Sequence, residues 1–307
     1  MSVAMRDAYG KKLAALGETN TKIVVLDADL SGSTKSSYFG KAFPNRFFNV
    51  GVSEGNMAGV AAGFAACGFH PVINSFSIFI TLKCIDQIRH DFCYNKLPVV
   101  IAGAYGGFSD SYDGASHQSV EDIALMRALP NMEVIVPGDN GQAESALEYA
   151  LKQDHPVFIR LSRNEVPDLP VSGDISKKEP ILLRAGKNVT VAATGLMADN
   201  TLAAAAILEQ NGISAEVFSL PFIKPIKGNI LEESLKKTGK LVTVEEHSVI
   251  GGAGSACLEK ITQSGIPFKW LPIGVEDCFG GTGAYKELIT EYSLDSQSIA
   301  DKIKRWC

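Results

Sequence analysis

Short apolar runs recur along the chain with little polar alternation: IVVL (23–26), FFNVGV (47–52), PVINSF (71–76), PVVIAGAY (98–105), EVIVP (133–137) and VFIRLS (157–162). A strand with one wet face alternates apolar and polar positions. These runs do not, which predicts parallel strands covered by helices on both faces. Helical patterns fill 54–68, 77–95, 119–129 and 140–153, the last opened by Asp139-Asn140 as a cap. Across EVPDLPVSGDISKKEP (165–180), three prolines, Gly173 and many polar residues interrupt the pattern, as a linker does. The alternation then resumes with VTVAATG (189–195), AEVFSL (215–220), LVTVEEH (241–247) and FKWLPIG (268–274). The expected class is α/β: a parallel-sheet domain over 1–165, then a smaller α/β domain over 180–307.

Composition narrows the picture. At 307 residues and 46% hydrophobic, the chain can bury a sizeable core. Lys and Arg total 29 against 34 Asp and Glu, a net charge of -5, and no long basic run offers a footprint for nucleic acid. The start, MSVAMRDAYGKKL, has no basic stretch followed by an apolar core, and no later segment holds an uninterrupted apolar run long enough to span a bilayer. A cytoplasmic protein is expected. Six cysteines (67, 84, 93, 257, 278 and 307) include no C-x-x-C pair, so they read as reduced, small core residues and not as a disulfide framework or zinc site.

Five features could carry chemistry. Glu54 lies where FFNVGV gives way to a helix rich in Ala and Gly. A carboxylate in a first helical turn is stabilised by the helix dipole, by about 0.3–1 kcal/mol. Gly51, Gly55, Gly59 and Gly63 around it would also let a ligand or another chain approach closely. The loop GGFSDSYDGASHQSVED (106–122) follows an apolar strand, and His117 with Asp113 and Ser116 suits a polyhydroxylated ligand. Its acids do not follow a calcium-loop spacing, so no metal is assigned. Phe76 and Phe79 in SFSIF are either core or a wall for a flat heterocycle. Arg6, Arg163 and Ser33 are candidate phosphate partners, or surface charges and a cap. GGAGSA (251–256) lacks the third glycine of a dinucleotide loop and reads as helix packing.

Taken in order, ADLSGST, GVSEGNMAGVAAGFA, SFSIF with DQIR, DGASHQSVEDIALMRALPNMEVIVPGD and RLSR resemble the carboxyl-terminal half of transketolase over nearly the whole chain. The resemblance implies a pyrimidine-binding domain, a transketolase carboxyl-terminal domain, and thiamine diphosphate with Mg²⁺ as cofactors. The reaction it implies is transfer of a two-carbon ketol group from a ketose phosphate to an aldose phosphate. It also implies a missing part, because the family's G-D-G motif with a downstream Asn, which holds the diphosphate and metal, does not occur here. The chain is therefore expected to be the second subunit of a split transketolase, paired with an amino-terminal-type subunit in an α2β2 heterotetramer.

Carried over by position, Glu54 matches the glutamate that hydrogen-bonds the aminopyrimidine ring nitrogen and favours its imino tautomer. Such a carboxyl should be buried. Phe79 matches the aromatic stacked on the pyrimidine, with Phe76 beside it, and Asp29 an aspartate near the cofactor at the subunit contact. His117 matches the histidine at the donor's first hydroxyl and carbonyl, and Asp113 the reader of the next hydroxyls. Arg6, Ser33 and Arg163 match residues that grip the phosphate. Tyr105 departs from the family, standing where a histidine is usual, and leaves a branched donor such as apulose 4-phosphate open. Beta subunits of 2-oxoacid dehydrogenases and deoxyxylulose phosphate synthase share the glutamate or the loop, and a noncatalytic regulatory partner is the alternative from another class.

Overall fold

A computed structural model describes residues 3–171 and 175–307; Gly173 of the linker lies outside them. The strands are β1 (Ile23–Asp27), β2 (Phe47–Asn49), β3 (His70–Phe76), β4 (Val100–Ala104), β5 (Glu133–Ile135), β6 (Val157–Arg160), β7 (Ile181–Arg184), β8 (Val189–Ala193), β9 (Ala215–Ser219), β10 (Phe222–Lys224), β11 (Lys240–Ser248) and β12 (Lys269–Val275). They form a seven-stranded sheet of order β10-β5-β6-β4-β3-β1-β2 and a five-stranded sheet of order β12-β11-β8-β9-β7. Pairing is parallel except where β10 meets β5 and β7 meets β9.

Uniform apolarity in the strands has the expected cause. Val24 and Leu26 of β1 pack into one core, while Ile23 and Val25 pack into another on the opposite face of the sheet. Ile101 of β4 divides from Val100 and Ala102 in the same way. Both faces are dry, so neither can carry polar alternation.

The two sheets are not independent. Phe218, Leu220, Ile223 and Leu241, all beyond the linker, share one core with Val24, Ile73 and Phe158 of the first sheet. The edge strand β10 also comes from beyond the linker, with Phe222 opposite Ile135. Burying a side chain such as Phe222 contributes about 1.5–3 kcal/mol. That gain outweighs the weak local preference of a three-residue segment bounded by Pro221 and Pro225.

Several elements differ from the sequence reading. Helices Met5–Thr19, Ser31–Thr34 and Ser37–Ala42 and strands β7 and β10 were not expected. The helix expected over 77–95 is a helix Ser77–Leu82, a break at Cys84, a turn Ile85–Gln87 and a π-helix Ile88–Tyr94. The run 47–52 is a strand only to Asn49. Cys84, Cys93 and Cys257 are buried, whereas Cys67, Cys278 and Cys307 are exposed, which corrects the core reading for those three. Gly252 and Gly254 open the helix Ala253–Ile261, and the N–H groups of Ala253 and Gly254 donate to Glu245 at 2.6 and 3.0 Å, so GGAGSA is a helix start. No described helix is long and apolar enough to cross a membrane.

Candidate active site

In a parallel sheet the carboxyl ends of all strands share one edge, and ligands bind there. Asp29 follows β1, Glu54 follows β2, Phe79 follows β3, the loop of Asp113 and His117 follows β4, and Arg163 follows β6. The order of strands therefore gathers residues far apart in sequence.

Glu54 begins the helix Glu54–Ala66, yet its residue is only 4% exposed, so it is not a surface cap. Its Oε1 accepts from Lys83 Nζ at 3.0 Å. The same ammonium lies 4.3 Å from the Phe79 ring centroid. Phe79 and Lys83 are four apart in helical phase, which puts them on one side. A carboxylate and an aromatic face thus converge on one hydrogen-bonding group. A flat, nitrogen-bearing heterocycle fits these two contacts, with Lys83 as the group it would displace. The sequence reading missed Lys83, and the spacing from Phe79 is the signal that could have found it.

Phe76 and Phe79 stack with centroids 5.8 Å apart, and the His117 ring meets Phe79 edge-on at 5.1 Å. His117 Nδ1 lies 2.9 Å from Ser116 Oγ. The aromatic wall is anchored from beneath. Ser77 Oγ donates to Asp122 Oδ2 at 2.5 Å, and Arg160 Nε donates to the same oxygen at 2.8 Å. Burial would raise the Asp122 carboxyl, but the Arg160 guanidinium, His247 and the hydrogen bonds from Arg160 and Ser77 together outweigh it and hold the group below the usual carboxylate range.

Tyr105 stacks on Phe76 at 4.1 Å, and its hydroxyl hydrogen-bonds Arg6. Arg163 lies 5.3 Å from the same ring and pairs with Asp110 at 3.2 Å. Arg6 Nη1 also donates to the Ser33 carbonyl at 3.0 Å. The meeting of Arg6 and Arg163 is tertiary: the Met5 N–H donates to the Asn164 carbonyl, and Ala4 bridges Glu165. Asp27 shapes the loop carrying Ser33, accepting from the Leu30 N–H at 2.6 Å and from Thr34 and Ser36 hydroxyls at 2.8 Å.

Contacts through Lys83, Tyr105 and the aromatic rings thus link Glu54, Phe76, Phe79, His117, Arg6, Ser33 and Arg163 along the carboxyl edge of the sheet. Asp113 is exposed on the rim, and its charge, after burial, helps raise the neighbouring Asp110 carboxyl. Asp29 stands at the edge, exposed, accepting from Asn49 Nδ2 at 2.8 Å. Asp110, weighed in the sequence only as a loop acid that does not fit a metal spacing, is buried behind Arg163. Among the described residues no cluster of three or more His, Cys, Asp or Glu is placed to hold a metal ion.

The second sheet clamps the loop. Gly107 pairs with Ser119 across it, and the Phe108 N–H donates to Glu246 Oε1 at 2.6 Å. Gly107 has a φ of +65°, and a Cβ there would lie 2.5 Å from Glu246 Cδ, so only glycine satisfies both the conformation and the space. Burial pushes the Glu246 carboxyl up to about 7. A raised carboxyl means the folded chain binds more protons than the unfolded one between the ordinary carboxylate range and about pH 7, so stability falls as pH rises through that window. Glu246→Gln should flatten this decline, and thermal midpoints of both proteins from about pH 5 to 8 check it. An unchanged slope would assign the effect elsewhere.

This geometry sets a buried acid, an aromatic platform and two arginines along the carboxyl edge of a parallel α/β sheet. The pattern of the transketolase pyrimidine-binding domain matches residues 1–168, and that of the transketolase C-terminal domain matches residues 179–299. A protein of Methanocaldococcus jannaschii, named as a transketolase C-terminal section, is 43% identical over 97% of this chain and 95% of its own. The 6-deoxy-6-sulfo-D-fructose transketolase subunit SqwH of Clostridium sp. (strain MSTE9) is 37% identical over 96% of this chain and 92% of its own. A 1-deoxy-D-xylulose-5-phosphate synthase of Caldanaerobacter subterraneus is 36% identical over 97% of this chain, which spans 48% of that protein. Among solved structures, a split-gene transketolase described as an inactive β4 tetramer matches with a TM-score of 0.90 and 43% identity, over 99% of this chain and 98% of that one. The chain belongs to the transketolase family and carries its pyrimidine-binding and C-terminal domains.

Proposed function

We propose that this chain supplies the pyrimidine side of a thiamine-diphosphate site and, with an amino-terminal-type companion subunit, transfers ketol groups between sugar phosphates. The observation that carries the reading is the buried Glu54 carboxylate joined to the Phe79 ring through the Lys83 ammonium that contacts both. Bound thiamine diphosphate would supply the carbon nucleophile for cleaving and re-forming the ketol bond. Glu54 would hold a proton at the aminopyrimidine ring nitrogen and so fix its tautomer. Phe79, with Phe76 behind it, would orient the ring by stacking. His117, edge-on to Phe79, would hydrogen-bond the donor's first hydroxyl and carbonyl, and Asp113 the hydroxyls beyond. Arg6, Ser33 and Arg163 would hold the phosphate, and Asp29 would lie at the subunit contact.

The companion would bring Mg²⁺ and the diphosphate. A surface suited to it lies on the helix Glu54–Ala66, where Asn56, Gly59, Val60 and Gly63 are exposed and a Cβ at either glycine would meet nothing within 4 Å. Val52, Phe48 and Phe69 are exposed beside it, Phe48 and Phe69 both against Phe64 of the helix. An α2β2 heterotetramer in the cytoplasm, with domains at 1–165 and 180–307, fits these features.

His117→Ala should raise the donor KM by about tenfold or more while changing thiamine diphosphate affinity little, because the lost hydrogen bonds serve the sugar. Titrating both ligands against the assembled pair checks this. An equal loss for both would move His117 from the donor to the cofactor. The reaction itself is tested by assaying a panel of ketose and aldose phosphates with the pair. Tight cofactor binding without any ketol transfer would favour the noncatalytic reading.

A further inference from the structure

Among the described residues three cations adjoin the aromatic wall, and two of them are already paired with carboxylates. Lys83 pairs with Glu54 at 3.0 Å, and Arg163 pairs with Asp110 at 3.2 Å. Arg6 differs. Its partners are uncharged oxygens, the Ser33 carbonyl and the Tyr105 hydroxyl, and it forms no ion pair with a described carboxylate. Its Nε is buried without a partner among the described residues. Both guanidinium groups lie 5.3 Å from the Tyr105 ring, so that ring adjoins one cation paired with a carboxylate and one that is not.

Asp110 creates this asymmetry. It is 1% exposed, whereas the Arg163 side chain is 43% exposed, so the carboxylate is fixed behind an arginine that reaches toward solvent. An anion approaching Arg163 meets a guanidinium already partly discharged, with a negative group close behind it. An anion approaching Arg6 meets a guanidinium whose hydrogen bonds go to uncharged oxygens.

We propose that Asp110 is a specificity-determining residue: by neutralising Arg163 it weakens the grip on the sugar's terminal phosphate and leaves Arg6 as the principal anion contact. This rests on the reading of this sheet edge as a sugar-phosphate site. The terminal phosphate is unchanged by ketol transfer, so a contact to it acts alike on ground and transition states and appears in KM, not in kcat.

Asp110→Asn keeps an oxygen for Arg163 Nη1 and removes the charge. In the assembled enzyme it should lower the KM for a phosphorylated ketose about fivefold, the scale of a half-exposed ion pair, with kcat unchanged. The KM for an unphosphorylated ketol donor should stay the same. Inorganic phosphate, followed by calorimetry, should bind tighter by a similar factor. A phosphorylated-donor KM that is unchanged or raised, with phosphate binding no tighter, overturns the proposal. If Asp110→Asn does not fold, Arg163→Met and Arg6→Met make the same test: loss of the neutralised arginine should cost far less phosphate affinity than loss of Arg6, and equal costs overturn the proposal. The underlying reading fails separately. If Arg6→Met and Arg163→Met both leave the preference for phosphorylated donors intact, this edge is not the phosphate site. If they remove it while Asp110→Asn changes nothing, only the role of Asp110 is wrong.

Discussion

Glu54→Gln should lower ketol transfer by about a hundredfold or more, the range for loss of a positioned proton donor or acceptor. Glutamine keeps the shape and a hydrogen bond but cannot release or take up the proton that fixes the aminopyrimidine tautomer. The fold should survive, because the position already lies against Lys83 and does not depend on a buried ion-pair network: Lys83 is 49% exposed and can turn to water. The experiment compares kcat, thiamine diphosphate affinity and the thermal midpoint of the assembled pair. A large drop in kcat with a small change in the other two is the expected result. Full turnover in the variant would remove the proton role from Glu54 and leave the carboxylate as a partner for Lys83 alone.

The chain without its companion should show no measurable ketol transfer, and mixing it with an amino-terminal-type subunit, thiamine diphosphate and Mg²⁺ should restore it. The pyrimidine contacts alone give one carboxylate and one aromatic face, and in the free chain Lys83 already holds both. Cofactor binding must break that pair before any gain is made. The diphosphate needs a metal clamp, for which the described residues of this chain offer no cluster. Rates for each subunit and the mixture, with sedimentation to follow assembly, check the expectation. Brisk turnover by this chain alone, with tightly held cofactor, would overturn the split-site reading.

Much of the fold was legible because dry strands have a plain signature. IVVL is apolar throughout, PVINSF and VFIRLS carry apolar residues on both sides of the pleat, and the structure buries both faces of β1, β3 and β6. The polar break at 165–180 was equally plain. The short strands β7 and β10 were not, since neither carries a strong local pattern and each is held by an antiparallel partner far away. The helical period over 77–95 was visible too, but the break at Cys84 and the π-helical turns after it depend on packing.

The site divides in the same way. Glu54, Phe79, Asp113, His117 and Arg163 stand in motifs, so their identities and order could be read along the chain. Whether Glu54 was a wet cap or a buried acid could not, because the local sequence serves either; burial is set by the residues that fold over it. Lys83 at Glu54, Asp110 behind Arg163, and the Tyr105 hydroxyl at Arg6 are contacts across 29, 53 and 99 residues of chain. Sequence by itself determined which side chains and strands were available, since hydrophobic periodicity and residue chemistry are local properties. Only the tertiary structure decided which charges meet, because the energy of a charge depends on its distance from others and on the water excluded around it, and both are fixed by how the strands are ordered in space.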